Sequence, residues 1–219
     1  MDQVLEIAKI IGTILAEIVL AFYFCKQYIK KMADKIDVSS GVKKQNAIDI
    51  DIITRMDYYK ELLSADRILV FEFHNGQHYS NYRSALKMSA SYEVFRAGLD
   101  SIREKCTGLP IAIMPHFISA ITKDERVSCK SIEDIKESMS NSYSFKNALG
   151  MKAFYDVAIK DRNGNIIGFV AVIWNHTLDE NVDAAAISKL TGFLEDRIDA
   201  LTMQNKKAKK KYKKNIIKR

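Results

Sequence analysis

His74, Asn75, His78 and Tyr79 follow directly on the apolar run Arg67–Phe73, and Tyr92 and Glu93 lie at the end of a second run in which apolar and polar residues alternate from Leu86. Imidazole, amide, phenol and carboxylate groups gathered in one place can hydrogen-bond a polar ligand from several directions. Where neighbouring strands bring the two run ends together, His74, Asn75, Tyr79, Tyr92 and Glu93 form a ligand-binding set. A plainer reading competes with this: His74-Asn75-Gly76 is a turn, with Gly76 at positive φ. A metal site has weaker support. His74 and His78 are four apart, but Gly76 breaks any helix that would align them, and His116 and His176 stand alone. The chain has no Gly-x-Ser-x-Gly elbow, phosphate-binding loop or His-Glu-x-x-His. Lys105 next to Cys106 would lower its thiol pKa, yet a lone cysteine is more often a spectator. The expectation is a binding protein and not an enzyme, with no metal and no cofactor specified.

The elements that position these residues sit in a chain of 219 residues, 47% hydrophobic and 28% charged, which is enough for one well-buried domain with additional segments. Three widely spaced cysteines, Cys25, Cys106 and Cys129, argue against a disulfide scaffold, and no Cys-x-x-Cys pair offers a zinc or redox motif. The formal charge is +7, but nine cations and no acid fall within residues 206–219, leaving 25 bases and 27 acids in the rest, a net of −2. The basic character belongs to a tail. Lys206, Lys207, Lys209, Lys210, Lys211, Lys213 and Lys214 would attract a polyanion, either anionic lipid or nucleic acid. Tyr212 and Ile216-Ile217 favour a lipid surface over nucleic acid.

Residues 7–25 read as an apolar helix followed by Lys26, Lys30 and Lys31. Its length, roughly 28 Å, approaches the ~30 Å thickness of bilayer hydrocarbon. Aromatics gather at its carboxyl end, and the following lysines predict a single-pass anchor with the carboxyl-terminal domain in the cytoplasm. Lys26, Lys30 and Lys31 are then candidate contacts with lipid headgroups or nucleic acid. Glu6, Lys9, Thr13 and Glu17 share one stripe, within roughly 80° at 100° per residue. Helices meeting along that stripe at Thr13 and Glu17, with Gly12 permitting close approach, would form a homo-oligomer that shields Glu17.

Residues 26–41 read as a juxtamembrane linker with a break at Ser39-Ser40-Gly41, followed by a helix over 42–65 with Ile48, Ile52, Met56, Tyr59 and Leu63 on one face. Strands are expected at Arg67–Phe73 and Leu86–Val94, and an edge strand or extended connection at Leu109–Met114. Short helices at Phe117–Thr122 and Ile132–Met139 would lie on one side of the sheet. Ala153–Ile159 and Ile166–Trp174 form a hairpin around Asn163-Gly164. A long helix, Asn181–Thr202, buries Ile187, Leu190, Leu194 and Ile198 and runs into the basic tail of residues 204–219. The order predicts an α+β domain over 42–203, a small antiparallel sheet with flanking helices.

The stretch Ala148-Leu149-Gly150 through Ile159, the Asn-Gly turn, and Ile167-Gly168-Phe169-Val170-Ala171-Val172 resemble the end of a GAF domain, a sensory module with an antiparallel sheet and a ligand pocket. The likeness covers residues 43–203 and is specific over 148–174. Phe71–Gly76 with Ser91-Tyr92-Glu93 is also similar to uncharacterised membrane-anchored GAF-like proteins of phages and bacteria. No cysteine matches a chromophore-attachment position, and the signature of cyclic-nucleotide-binding members is absent, so the resemblance implies neither bilin nor cyclic nucleotide. It implies a membrane-anchored sensory module binding a small molecule or a partner. Two alternatives remain: a membrane-tethered nucleic-acid adaptor acting through the basic tail, and an oligomeric structural component of a phage or membrane assembly in which the amino helix packs against copies of itself.

Overall fold

The computed structural model describes residues 2–78 and 84–217, without the side chains of residues 2–5, 7–11, 13, 30–40, 77 and 203–217. The chain divides into two units, Met1–Ala47 and Ile48–Arg219.

The first unit is helical. It belongs to α1, which runs Asp2–Leu62 without the expected break at Ser39-Ser40-Gly41. Serine and glycine each lower helix propensity by up to about 1 kcal/mol, but neither removes a backbone N–H as proline does, so neither stops the helix. Leu15, Ile18, Phe22, Tyr23 and Ile29 are exposed on it. The single-pass anchor and the cytoplasmic placement it implied are overturned: among the described residues, no helix is long and apolar enough to cross a membrane. Glu17 interrupts the apolar run and Lys26 closes it. The uninterrupted stretch is therefore Ile18–Cys25, about 12 Å of helix against ~30 Å of hydrocarbon. Gly12, Glu17 and Lys26 are exposed; the side chains of Thr13, Lys30 and Lys31 lie outside the described residues.

The second unit is built on a six-stranded antiparallel sheet of order β3-β2-β1-β6-β5-β4. Its strands are β1 (Arg67–His78), β2 (Ser84–Phe95), β3 (Leu109–Pro110), β4 (Arg126–Cys129), β5 (Ala153–Lys160) and β6 (Ile166–Trp174). Helices α2 (Pro115–Asp124) and α3 (Ser140–Ala148) lie in the middle of the sequence, and α4 (Ala184–Ile217) closes it. Side chains alternate between faces along each strand. Ile68, Val70, Val170 and Val172 therefore meet Ile52, Met56 and Tyr59 of α1 and Ile187, Leu190, Leu194 and Ile198 of α4. Leu69, Phe71, Phe154, Phe169 and Ala171 point the other way, into a second layer closed by Phe117 and Ile121 of α2, Ile132 and Ile135. Covering both faces explains why Ile68–Phe71 and Phe169–Trp174 read as unbroken apolar runs instead of alternating ones.

The middle of the chain differs most from expectation. Leu109–Met114 yields only a two-residue edge strand and a 3-10 turn, because Pro110 cannot extend the ladder. Ile132–Met139 holds a 3-10 turn at Ile132–Ile135, and the true helix is α3, one segment later. The four-residue β4 was not expected; it alternates exposed and partly buried residues but is too short for that period to be seen locally. His74-Asn75-Gly76 is not a turn either. β1 continues through it, and Gly76 does not adopt positive φ. A Cβ at Gly76 would lie 2.2 Å from the Ala85 carbonyl oxygen, so the glycine admits a close strand approach. The β5–β6 hairpin forms as expected, with Asp161 Oδ1 accepting from the Asn163 and Asn165 amides at 2.8 and 2.9 Å.

Gly168 sits where β6 passes β1, and a Cβ there would stand 1.9 Å from the Phe71 carbonyl oxygen. Gly168→Ala should destabilise the fold by about 1–3 kcal/mol in chemical denaturation. Gly192→Ala, on an exposed turn of α4 with open space around it, should instead stabilise it by up to about 1 kcal/mol.

Candidate functional site

The residues expected to converge around a ligand are held apart in separate networks. His74 faces solvent from β1, its Nε2 2.8 Å from Ser89 Oγ, and that hydroxyl also accepts from the Gly108 amide at 2.8 Å. Asn75 is exposed beside it, paired with Leu86 across the ladder. Tyr79 lies outside the described residues. Tyr92 pairs with Val70, four residues from His74 and about 13 Å along the strand. Its hydroxyl donates to Asp49 Oδ1 of α1 at 2.6 Å, and burial together with that carboxylate pushes the phenol pKa up.

Glu93 is committed elsewhere. Its carboxylate takes the Arg67 guanidinium, the Ser101 hydroxyl, and the Ile102 and Arg103 amides at 3.1 and 3.2 Å. Arg67 is itself buried, donates to the Asp100 carbonyl at 2.7 Å and stacks over Phe95. This ion pair fastens the loop after β2 to the root of β1. The alternation along Leu86–Val94 identifies the strand, but the Arg67 partner lies 26 positions away in sequence and is set by strand pairing alone.

A polar centre without exposed parts occupies the layer between the sheet and α2/α3. Along β5 the side-chain period of two turns Phe154, Asp156 and Ala158 to the same face, so Asp156 enters an otherwise apolar layer. Lys146, on α3, meets it with Nζ 2.7 Å from Oδ2; the two side chains are 4% and 0% exposed. Lys146 Nζ also lies 3.8 Å from the Phe154 ring centroid and 4.9 Å from that of Phe117, a geometry in which a cation gains from the ring faces. One helical turn before Lys146 stands Ser142, on the same face of α3. Asp156 Oδ1 and Ser142 Oγ are both buried with no hydrogen-bond partner. Burial pushes the Asp156 carboxyl pKa up, and the Lys146 charge and its hydrogen bond oppose that rise.

Burial pushes Cys106 up to about 11 and Cys129 up to about 12, so both stay protonated. Among the described residues, no group of three or more His, Cys, Asp or Glu could hold a metal ion. What the arrangement can do is hydrogen-bond and neutralise. Lys146 and Ser142 can donate, Asp156 Oδ1 has an open acceptor site, and aromatic rings form the walls. Sequence reasoning passed over this centre although its signal was present: an aspartate within the apolar strand Ala153–Ile159.

The architecture is that of a GAF-like fold, an antiparallel sheet covered by helices. The chain is similar to the GAF domain of PixJ from Thermosynechococcus elongatus in its blue-light-absorbing form, at 15% identity and a TM-score of 0.53, covering 78% of this chain and 94% of that one. A GAF domain from Synechocystis sp. PCC6803 in its photoproduct state aligns at 13% identity and a TM-score of 0.53, covering 74% and 98%. The phycoerythrobilin-bound GAF domain of a cyanobacterial phytochrome aligns at 15% identity and a TM-score of 0.51, covering 76% and 97%. No protein-family model matches the sequence, and no curated protein does.

Lys146→Met leaves Asp156 buried and unpaired, and should cost about 3–5 kcal/mol in urea denaturation. The pair change Lys146→Met with Asp156→Leu should recover most of that loss, because no charge is then left in the layer. Glu93→Ala should cost a similar ~3–5 kcal/mol by stranding Arg67, and should raise proteolytic cleavage within residues 96–106.

Proposed function

We propose that this chain is a sensory module that binds a small polar ligand between the sheet and helices α2 and α3, and that it has no catalytic role. The observation that carries this reading is the buried Lys146–Asp156 pair, with Asp156 Oδ1 and Ser142 Oγ left without partners in an apolar layer. A buried acceptor without a donor costs about 1–3 kcal/mol, a cost that a ligand bearing an N–H or O–H group would remove. The fold supports a sensory role, since all three of the similar structures above are GAF domains. The protonated state of Cys106 and Cys129 supports binding over covalent chemistry.

A route for the signal follows from β5. The strand that carries Asp156 into one layer turns Tyr155 and Val157 toward the other, against the core shared with α1 and α4. Its last residue, Lys160, donates its amide to Glu195 of α4 at 2.8 Å. A ligand that shifts Asp156 therefore moves a strand tied to the closing helix. Of the sequence-chosen residues, His74 and Asn75 remain exposed, at successive positions of β1.

The test is a thermal-shift screen of the full chain against nucleosides, amino acids and short carboxylic acids. A compound present at 100 times its Kd should stabilise the protein by about 2.7 kcal/mol. Ser142→Ala should leave unliganded stability within about 0.5 kcal/mol, since its hydroxyl has no partner to lose, while weakening the ligand roughly five- to tenfold. The folded Lys146→Met/Asp156→Leu protein should lose the shift altogether. An undiminished shift in that protein would place the ligand elsewhere and overturn the reading.

A further inference from the structure

Helix α4 does two different things along its length. From Ala186 to Ile198 it is packed on the sheet through Ala186, Ile187, Leu190, Leu194 and Ile198. Its backbone then continues as helix to Ile217, past the last residue of that core, into the lysine-rich segment. Counted at 100° per residue from Leu201, the positions of Ala208, Tyr212 and Ile216 stay within roughly 80° of one another, in register with Leu201 and with the uncharged Asn205 as the one polar residue among them. Lys206, Lys207, Lys209, Lys210, Lys211, Lys213 and Lys214 all fall at positions outside that stripe, and no acid interrupts them.

This pattern separates two kinds of polyanion. Nucleic acid is held through its phosphates by lysines alone and has no use for an apolar stripe. A helix lying in a bilayer interface needs both parts, an apolar stripe to enter the acyl boundary and lysines beside it to meet anionic headgroups. We propose that residues 201–217 form a basic amphipathic helix that docks on an anionic lipid surface, continuous with the helix that packs on the GAF-type sheet. The contact is peripheral and electrostatic, and it weakens as salt shortens the Debye length.

The experiment is co-sedimentation of the full chain with phosphatidylcholine vesicles and with vesicles of phosphatidylcholine and phosphatidylserine at 70:30, across a salt series. The neutral vesicles report whatever the exposed apolar residues of α1 contribute. The expected result is partitioning at least tenfold stronger on the serine-lipid vesicles, falling steeply with salt. Replacing the seven lysines 206–214 by glutamine should abolish that preference. Tyr212→Ser with Ile216→Ser, which leaves every charge in place, should lower it several-fold. Both sets of changes lie beyond the packed part of α4, and circular dichroism should show the folded core unaltered. Equal binding to the two vesicle types overturns the proposal. So does loss of vesicle preference with the lysines but none with Tyr212→Ser/Ile216→Ser; salt-resistant binding of a duplex DNA in that case would assign the lysines to nucleic acid.

Discussion

Everything in the second unit depends on the central strands β1 and β6 being buried on both faces. A strand with Ile68 and Val70 on one side and Leu69 and Phe71 on the other cannot leave either side to water. One cover comes from the two ends of the unit, α1 and α4, and the other from the middle of the sequence. Because β1 pairs with β6, residues about a hundred positions apart form the middle of the sheet, and the terminal helices are brought to the same face. Gly168 shows how tightly that pairing is drawn, since even a methyl group would collide with the neighbouring strand.

The two covers are not equivalent. The one formed by α1 and α4 is closed mainly by apolar side chains at helical spacing, among them Ile52, Met56, Ile187, Leu190 and Leu194. The one formed by α2 and α3 contains the Lys146–Asp156 pair, placed where a hydrophobic pair would stabilise the layer at least as well. A buried charge pair is weak evidence for stability. Here Asp156 Oδ1 is left without a partner, as is Ser142 Oγ one helical turn before Lys146 on α3, which a purely structural pair does not require. The other buried pair, Arg67–Glu93, makes the contrast plain: its carboxylate is saturated by donors from a loop, and its guanidinium also bonds a carbonyl. One pair is closed and holds a loop in place. The other has an acceptor to spare.

Much of this was legible in residue order. The β5–β6 hairpin, the two long strands before it and both terminal helices follow from local periodicity and from turn chemistry at Asp161–Asn165. The middle was less legible because its elements are short. A 3-10 turn at Ile132–Ile135 and a four-residue β4 take their form from the layer they cover more than from their own pattern. The membrane reading took residues 7–25 as a span with Glu17 shielded by helix contact, whereas among the described residues no helix is long and apolar enough to cross a membrane.

By itself the sequence determined the α+β class, the faces of the terminal helices and the confinement of positive charge to the last residues, because each depends on neighbours within a few turns or one hairpin. Only the tertiary structure decided which polar groups meet. His74, Tyr92 and Glu93 look like a set when strand ends are imagined together, yet the register sets them apart: a strand advances about 3.4 Å per residue, and each group finds a closer partner in Ser89, Asp49 or Arg67. Lys146 and Asp156 are ten positions apart, on a helix and a strand whose docking no local pattern encodes. Their meeting is fixed by the burial of both sheet faces, which places α3 over β5 and leaves the aspartate no route to water.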